Sequence, residues 1–266
     1  MSSSSLKPIA LVTGASAGIG AVYAQRLAER GYDLILVARR ADRLKALSDK
    51  LGAAHGTKVE VVEADLTKDA DVARVENVLK ANPAVTLLVN NAGNATLAPV
   101  AKTSEEDAAA MIALNVTALT RLTHSILPAF LSRNEGAIIN VASVLSFHAL
   151  PISAIYSGTK GYVMNFSRGL QQELAGTNVR LQLVMPASTA TELWDLAGVP
   201  LASLNQTAVM TSENLVDAAL AGFDKGEDIT LPSVADATFW DTFDEARSKL
   251  FAAAQTGEPA PRYRAA

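Results

Sequence analysis

Short apolar runs alternate with longer stretches of helical periodicity along most of the chain. The run at 8–13 ends at a glycine and is followed by Val22, Tyr23, Leu27 and Ala28 at helical spacing up to Gly31, the pattern of a buried strand feeding a helix. Further apolar runs occupy 33–38, 59–62, 86–89, 136–142 and 179–185. Between them, Leu44, Leu47 and Leu51 mark one helix, Met111, Leu114, Leu119 and Leu122 a second, and Val163, Phe166, Leu170 and Leu174 a third. Strand and helix in strict alternation imply right-handed crossovers and a parallel sheet covered on both faces. The fold expected is therefore α/β, a doubly wound parallel sheet of about seven strands with helices on both faces. No internal repeat or linker divides the chain, so 1–266 reads as a single domain.

Details along the pattern refine this picture. Residues 103–106 have the spacing of a capping box, with Thr103 as the cap, so the acidic trio Glu105, Glu106 and Asp107 belongs to helix-start chemistry. The stretch 192–210 is apolar without a clear period, which predicts a substrate lid at about 190–212 or a surface for another subunit. A helix starting at Thr211 carries Leu215, Val216 and Leu220, and a last short strand is expected within 228–232. From about 233 onward the chain reads as a C-terminal helix and tail, with Phe239, Phe243, Ala246 and Leu250 on one stripe that reads as core or interface.

Composition narrows the class. Hydrophobic residues make up 49% of the chain and charged residues 19%, as expected when strands are buried on both faces. A net charge of −4 supplies no basic field for nucleic acid or an anionic membrane, and neither is expected as a partner. With no cysteine and only His55, His124 and His148 as imidazoles, disulfides and thiolate metal sites are excluded and no metal centre is expected. The serine tract at 1–5 lacks the features of a signal peptide and is expected to be mobile. No apolar run approaches a bilayer-spanning length, and a cytoplasmic location is expected.

The candidate chemistry sits at the ends of the strands. Gly14, Gly18 and Gly20, spaced G-x-x-x-G-x-G between the first strand and its helix, present backbone N–H groups and a helix N-terminus to an anion. Arg39 and Arg40 end the second strand, where an acidic residue would grip ribose hydroxyls and a cation accommodates a 2′-phosphate, so the pair argues for NADP(H). Asp65 follows the third strand and reads either as a helix cap or as an acceptor for an adenine amino group. Asn90-Asn91-Ala92-Gly93 ends the fourth, and Asn115 lies inside a helix, where asparagine is a poor choice unless its amide has a specific partner. Ser143 ends the fifth, and Tyr156 and Lys160 stand i and i+4 on the following helix, so both side chains share a face. An ammonium beside a phenol favours the phenolate and would suit the tyrosine to proton transfer.

Taken in order, these residues resemble the short-chain dehydrogenase/reductase family in its classical subdivision, over about the first 190 residues. The resemblance implies a Rossmann-type domain with Asn115, Ser143, Tyr156 and Lys160 as the catalytic set. Tyr156 would exchange a proton with the substrate oxygen, Lys160 would lower its pKa and bind the nicotinamide ribose, Ser143 would hydrogen-bond the reacting oxygen, and Asn115 would hold a water linking Lys160 to solvent. The cofactor would be held by the turn Gly14, Ser16, Gly18, Ile19 and Gly20, by Arg39 and Arg40, by Asp65 and Leu66 at the adenine, by Asn91, Ala92 and Gly93, by Tyr156 and Lys160, and by Pro186, Thr189 and Thr191 at the carboxamide. Two departures stand out. Ala187 replaces the glycine usual after that proline, and Gly158 and Gly161 interrupt the catalytic helix, which implies close packing across a homodimer or homotetramer interface.

The expected activity is hydride transfer between NADP(H), preferred over NAD(H), and a carbonyl or secondary alcohol. Leu145, Phe147, Leu150 and Ile152, with a lid around Trp194, predict a mostly apolar pocket for a small-molecule substrate. Two alternatives are a dinucleotide-binding regulator or scaffold with a vestigial site, and a sugar-nucleotide epimerase or dehydratase, whose glycine turn is spaced differently.

Overall fold

Seven strands pair side by side, all parallel, in the order β3-β2-β1-β4-β5-β6-β7 in the computed structural model, which describes residues 7–264. They are β1 (Ile9–Thr13), β2 (Asp33–Ala38), β3 (Val59–Glu63), β4 (Val85–Asn90), β5 (Gly136–Val141), β6 (Val179–Val184) and β7 (Ile229–Thr230). The serine tract at 1–5 lies outside the described residues. Strand order runs one way from β1 to β3 and the other way from β4 to β7, so the chain reverses direction across the sheet between β1 and β4. Open α/β sheets bind ligands beyond the carboxyl ends of the strands at such a switch.

Alternation along each strand divides the core between two layers. On one face Ala10, Val12, Leu34, Leu36 and Val89 pack with residues of α1 (Gly18–Glu29), α2 (Ala41–His55) and α8 (Ser212–Lys225). On the other, Leu11, Ile35, Val37, Leu88 and Ile138 pack with α3 (Asp69–Ala81), α5 (Leu119–Arg133) and α6 (Ala154–Glu173). The short α4 (Glu105–Ile112) leads into α5, and α7 (Leu193–Leu196) lies in the stretch that the pattern left irregular.

Several local expectations are corrected. Ser104, not Thr103, caps α4, its hydroxyl accepting from Asp107 N at 3.0 Å, because Thr103 ends the preceding 3₁₀ turn and bonds Pro99 O instead. The helix expected to run unbroken past Asn115 contains a π-helical segment, Ala113–Ala118, joining α4 to α5. A π turn skips the usual i→i−4 bonding and is common at functional sites. Within the combined run Glu105–Arg133, 29 residues long, an 18-residue window has a mean hydropathy of 1.2, so one helical segment does reach membrane-crossing length and composition. Its Ala118, Leu122, Ile126 and Phe130 are spent on the core. Within its own chain a Cβ on Gly161 would stand in ordinary contact with Ser146 O, at 3.4 Å, and one on Gly158 would meet nothing within 4 Å.

The described chain divides into two compact units, Met1–Pro232 and Ser233–Ala266, and the sheet belongs entirely to the first. In the second, α9 (Thr238–Ala253) buries no residue, with Phe239 and Leu250 among its exposed side chains. The stripe read as core or interface is therefore not core. Within that unit Trp240 packs on Phe243, and Arg247 pairs with Asp244 at 3.0 Å.

A polar ladder crosses the second layer beneath the carboxyl end of the sheet. Asn90 Nδ2 donates to Asn140 Oδ1 at 2.9 Å and to Thr123 Oγ1 at 3.0 Å, and Asn140 Nδ2 donates to Ser167 Oγ at 2.9 Å. These bonds join β4, β5, α5 and α6 at fixed heights. Asn140 is fully buried, and losing it takes a hydrogen-bond partner from both Asn90 and Ser167. Asn140→Ala is expected to destabilise the fold by about 2–4 kcal/mol in urea unfolding with little change in slope; a loss below about 0.5 kcal/mol would show that the ladder contributes little.

Candidate active site

The ends of β1 and β4 are clasped together, and the site is built on that clasp. Thr13 Oγ1 donates to Val89 O at 3.2 Å and accepts from Asn91 N and Ala92 N at 3.0 Å each. Asn91 Nδ2 donates back to Thr13 O at 2.9 Å and Gly14 O at 3.4 Å. The turn above this clasp requires glycine. Gly14 has φ +67°, and a Cβ on Gly20 would stand 2.4 Å from Gly14 O and 2.5 Å from Asn91 Nδ2. Gly20 thus lets α1 approach β4 and takes no part in lining the cleft. α1 starts at Gly18 with no side-chain cap on its N-terminal N–H groups.

A cleft of about 540 Å³ opens along the switch. From the expected cofactor set it is lined by Gly14, Ser16, Gly18, Ile19, Arg39, Arg40, Asp65, Leu66, Asn91, Ala92, Gly93, Pro186, Thr189 and Thr191, and from the expected catalytic set by Ser143, Tyr156 and Lys160. Of the expected catalytic and cofactor-binding residues, only Gly20 and Asn115 lie off its wall. Asn115 is buried behind it, where Oδ1 accepts from Asn94 N at 3.0 Å and Nδ2 donates to Asn94 O at 2.9 Å and Thr159 Oγ1 at 3.1 Å. The amide inside the helix thus ties the π turn to the loop after β4 and to α6. A Cβ on Gly93 would stand 3.2 Å from Asn115 Oδ1 and 3.5 Å from Lys160 Nζ, so glycine there leaves room for both.

Asp65 does not cap a helix. α3 begins at Asp69, and Asp65 Oδ1 instead closes a turn by accepting from Thr67 N at 3.0 Å and Thr67 Oγ1 at 2.7 Å. Arg39 is exposed, with no hydrogen bond or ion pair among the described residues. Arg40 is engaged, its Nε and Nη2 donating to Ser16 Oγ at 3.2 and 3.1 Å and its Nη1 to Glu192 Oε2 at 2.7 Å.

Tyr156 and Lys160 share the expected face, yet their electrostatics differ from the reading of the spacing alone. Lys160 Nζ donates to Val141 O at 3.0 Å and lies 5.8 Å from the Tyr156 ring centre. Desolvation pushes the Tyr156 phenol up to about 12, opposed by hydrogen bonding with Ser143, and pulls the Lys160 ammonium down to about 8. Burial therefore outweighs any help from the lysine. Ser143 Oγ also accepts from Leu145 N at 3.1 Å, which holds the hydroxyl at the mouth of the 3₁₀ turn Val144–Ser146.

Of the residues read as an apolar pocket, Leu145 and Leu150 line the cleft, while Phe147 and Ile152 are exposed beside it. Trp194 lines it from α7, its Nε1 donating to Thr189 O at 2.8 Å. Ala187 lines the cleft as well, its carbonyl accepting from Thr189 Oγ1 at 3.1 Å. His148 sits on an exposed loop. Sequence reasoning missed Leu97, Leu114, Asp107 and Glu192, all on the wall. Leu97 and Glu192 carry no local signal, because each is placed by a contact distant in sequence, whereas Asp107 and Leu114 read only as helix-start and helix-stripe residues.

The residues present fit a dinucleotide. An uncapped helix N-terminus behind a glycine turn suits a pyrophosphate, and an unpaired guanidinium beside it suits a further phosphate.

Comparison with known proteins agrees with this geometry. The model of the short chain dehydrogenase family matches residues 8–198. A serine 3-dehydrogenase of Rhizobium radiobacter is 36% identical over 184 residues, 68% of this chain and 72% of that one. An NADP-dependent 3-hydroxy acid dehydrogenase of Salmonella typhimurium is 39% identical over 67% of this chain and 71% of its own length. Among solved structures, a short-chain dehydrogenase from Sphingobium yanoikuyae in complex with NADPH superimposes with a TM-score of 0.94 and 43% identity, covering 97% of this chain and 100% of that one. The bulky-bulky ketone specific alcohol dehydrogenase from Comamonas testosteroni has a TM-score of 0.88 and 36% identity, covering 97% and 99%. With the strand order, the glycine turn and the Ser143, Tyr156 and Lys160 cluster all in one cleft, the chain belongs to the short-chain dehydrogenase family.

Proposed function

We propose that the protein is an NADP(H)-preferring oxidoreductase that interconverts a largely apolar carbonyl compound and its secondary alcohol. The observation that carries this reading is the presence of Ser143, Tyr156 and Lys160 on the wall of the same cleft as the glycine turn and the unpaired Arg39. The glycine turn, with Ser16 and Ile19, would take the pyrophosphate; Arg39 would meet the 2′-phosphate, with Arg40 beside it held by Ser16 and Glu192; Asp65 and Leu66 would meet the adenine, and Asn91, Ala92 and Gly93 its ribose. Lys160 and Tyr156 meet the nicotinamide ribose, and Pro186, Thr189 and Thr191 the carboxamide. When bound, the nicotinamide cofactor supplies or accepts the hydride.

The chain's own residues handle the proton. In carbonyl reduction Tyr156 Oη gives its proton to the substrate oxygen as that oxygen gains negative charge, and Ser143 Oγ hydrogen-bonds the same oxygen. In alcohol oxidation the proton moves the opposite way. Asn115 fixes the loop at Gly93 and Asn94 against α6 and keeps open the route by which Lys160 exchanges protons with solvent.

Leu97, Leu114, Leu145, Leu150, Leu193 and Trp194 line the substrate side, which supports an apolar substrate, as does the bulky-bulky ketone specificity named for the Comamonas enzyme. Residues 190–212 act as the substrate lid of the cofactor-binding domain. The exposed Ile112 and the Tyr162–Phe166 stack on the outer faces of α4 and α6 support a homodimer or homotetramer.

Tyr156→Phe is expected to lower kcat for ketone reduction by about 10²–10⁴-fold while leaving the NADPH dissociation constant within about threefold; retained turnover would remove Tyr156 from the proton step. Arg39→Asp is expected to turn the ratio of kcat/KM for NADPH over NADH toward NADH, and an unchanged ratio would exclude Arg39 as a phosphate ligand. The free enzyme's phenol keeps its proton through neutral pH, the form reduction requires, so kcat/KM for alcohol oxidation should rise with pH. Ser143 acts to lower the Tyr156 pKa, so Ser143→Ala should displace that rising limb to higher pH. A limb at unchanged or lower pH would contradict the pairing.

A further inference from the structure

Glu192, Leu193, Trp194, Leu196 and Ala197 line the cleft as a strap, 192–197, that is fastened at both ends. At the far end Ala197 O accepts from Leu97 N at 3.0 Å, joining the strap to the loop after β4. At the near end Glu192 follows Thr191, whose Cγ2 lies 3.0 Å from where a Cβ on Gly18 would stand. Glu192 Oε2 accepts from Arg40 Nη1 and its Oε1 from Arg43 Nη1, each at 2.7 Å. Arg40 in turn grips Ser16 Oγ of the glycine turn with Nε and Nη2. A continuous chain of contacts therefore runs from Ser16 through Arg40 and Glu192 to Arg43.

A guanidinium carries five N–H donors in a rigid fork. Arg40 commits donors on all three of its nitrogens to Ser16 and Glu192, whereas Arg39 commits none. An isolated half-exposed ion pair contributes little, but one carboxylate shared by two guanidinia, one of them braced by a hydroxyl, loses less side-chain freedom per contact and holds its geometry better. The two sequence-adjacent arginines, expected to act alike, are thus divided by geometry.

We propose that Glu192 is a positioning residue: through Arg40 and Arg43 it fastens the strap to the glycine turn, and it leaves Arg39 as the guanidinium that meets the 2′-phosphate. The first half concerns the chain alone; the second rests on the NADP(H) reading above. Glu192 sets how firmly the cleft is roofed for either nucleotide, and Arg39 sets the preference between them.

Hydrogen–deuterium exchange of the cofactor-free, full-length protein tests the strut directly. Leu196 N and Ala197 N bond Glu192 O and Leu193 O, so their exchange reports opening of the strap. Glu192→Ala and Arg43→Ala should each speed exchange there by about three- to tenfold, and the double variant should be no faster than the faster single one, as for residues acting through one contact. Titration with NADPH and with NADH should show both dissociation constants raised by a similar factor in Glu192→Ala, with their ratio preserved, whereas Arg39→Ala should change the ratio. Unchanged exchange in Glu192→Ala would overturn the strut. Tighter NADPH binding in that variant would also overturn it, by showing that Glu192 competes with the phosphate for Arg40. If wild-type protein bound neither nucleotide, the NADP(H) reading and the role of Arg39 would fall while the exchange rates still judged the strut.

Discussion

The clasp between the ends of β1 and β4 is the constraint on which the site depends. Parallel strands that part at a switch leave their carboxyl-end backbone groups without neighbours, and buried groups of that kind must find partners. Here Thr13 and Asn91 supply them by exchanging hydrogen bonds across the gap. The clasp draws the first turn of α1 so near Asn91 that only glycine fits at position 20. It aims the uncapped end of α1 into the cleft and sets the height of the loop at Gly93 and Asn94. That loop is what Asn115 grips from the π turn, and through Thr159 the same amide reaches the helix carrying Tyr156 and Lys160. The anion-binding and proton-handling halves of the cleft are registered to each other through these few bonds.

Electrostatics in the cleft run against the phenolate. Burial raises the Tyr156 pKa to about 12 and lowers that of Lys160 to about 8, so at neutral pH the phenol keeps its proton and the ammonium, though weakened, keeps its charge. Ser143 is the neighbour that acts to lower the Tyr156 pKa, and its backbone position just past β5 is set by pairing to β6, which the bonds from Ala142 N to Val184 O and from Val144 N to Pro186 O extend.

Much of this was legible in the amino-acid sequence, for physical reasons that also explain what was not. Strands buried on both faces read as apolar runs, and every run of that kind became a strand within a residue or two. The glycine turn, Asn91, Ser143, Tyr156 and Lys160 were legible because each depends on a short segment whose conformation its own residues dictate. The π segment around Asn115 was not, since a bulge of one turn leaves the apolar periodicity almost intact; the poorly placed asparagine was its only trace. Glu192 carried no signal at all, because its meaning comes from Arg40 and Arg43, some 150 residues away in sequence. The difference between Arg39 and Arg40 was equally hidden, being set by Ser16 and Glu192.

The central claim is that this cleft moves a hydride between a nicotinamide and a carbonyl carbon while Tyr156 manages the proton. Its most direct test is single-turnover reduction of a panel of bulky ketones with NADPH carrying deuterium at one or the other face of the nicotinamide C4, followed by mass spectrometry of the product. The account predicts deuterium at the carbinol carbon from one labelled face only, with the hydroxyl proton drawn from solvent. Absence of label in every product from both faces would contradict it.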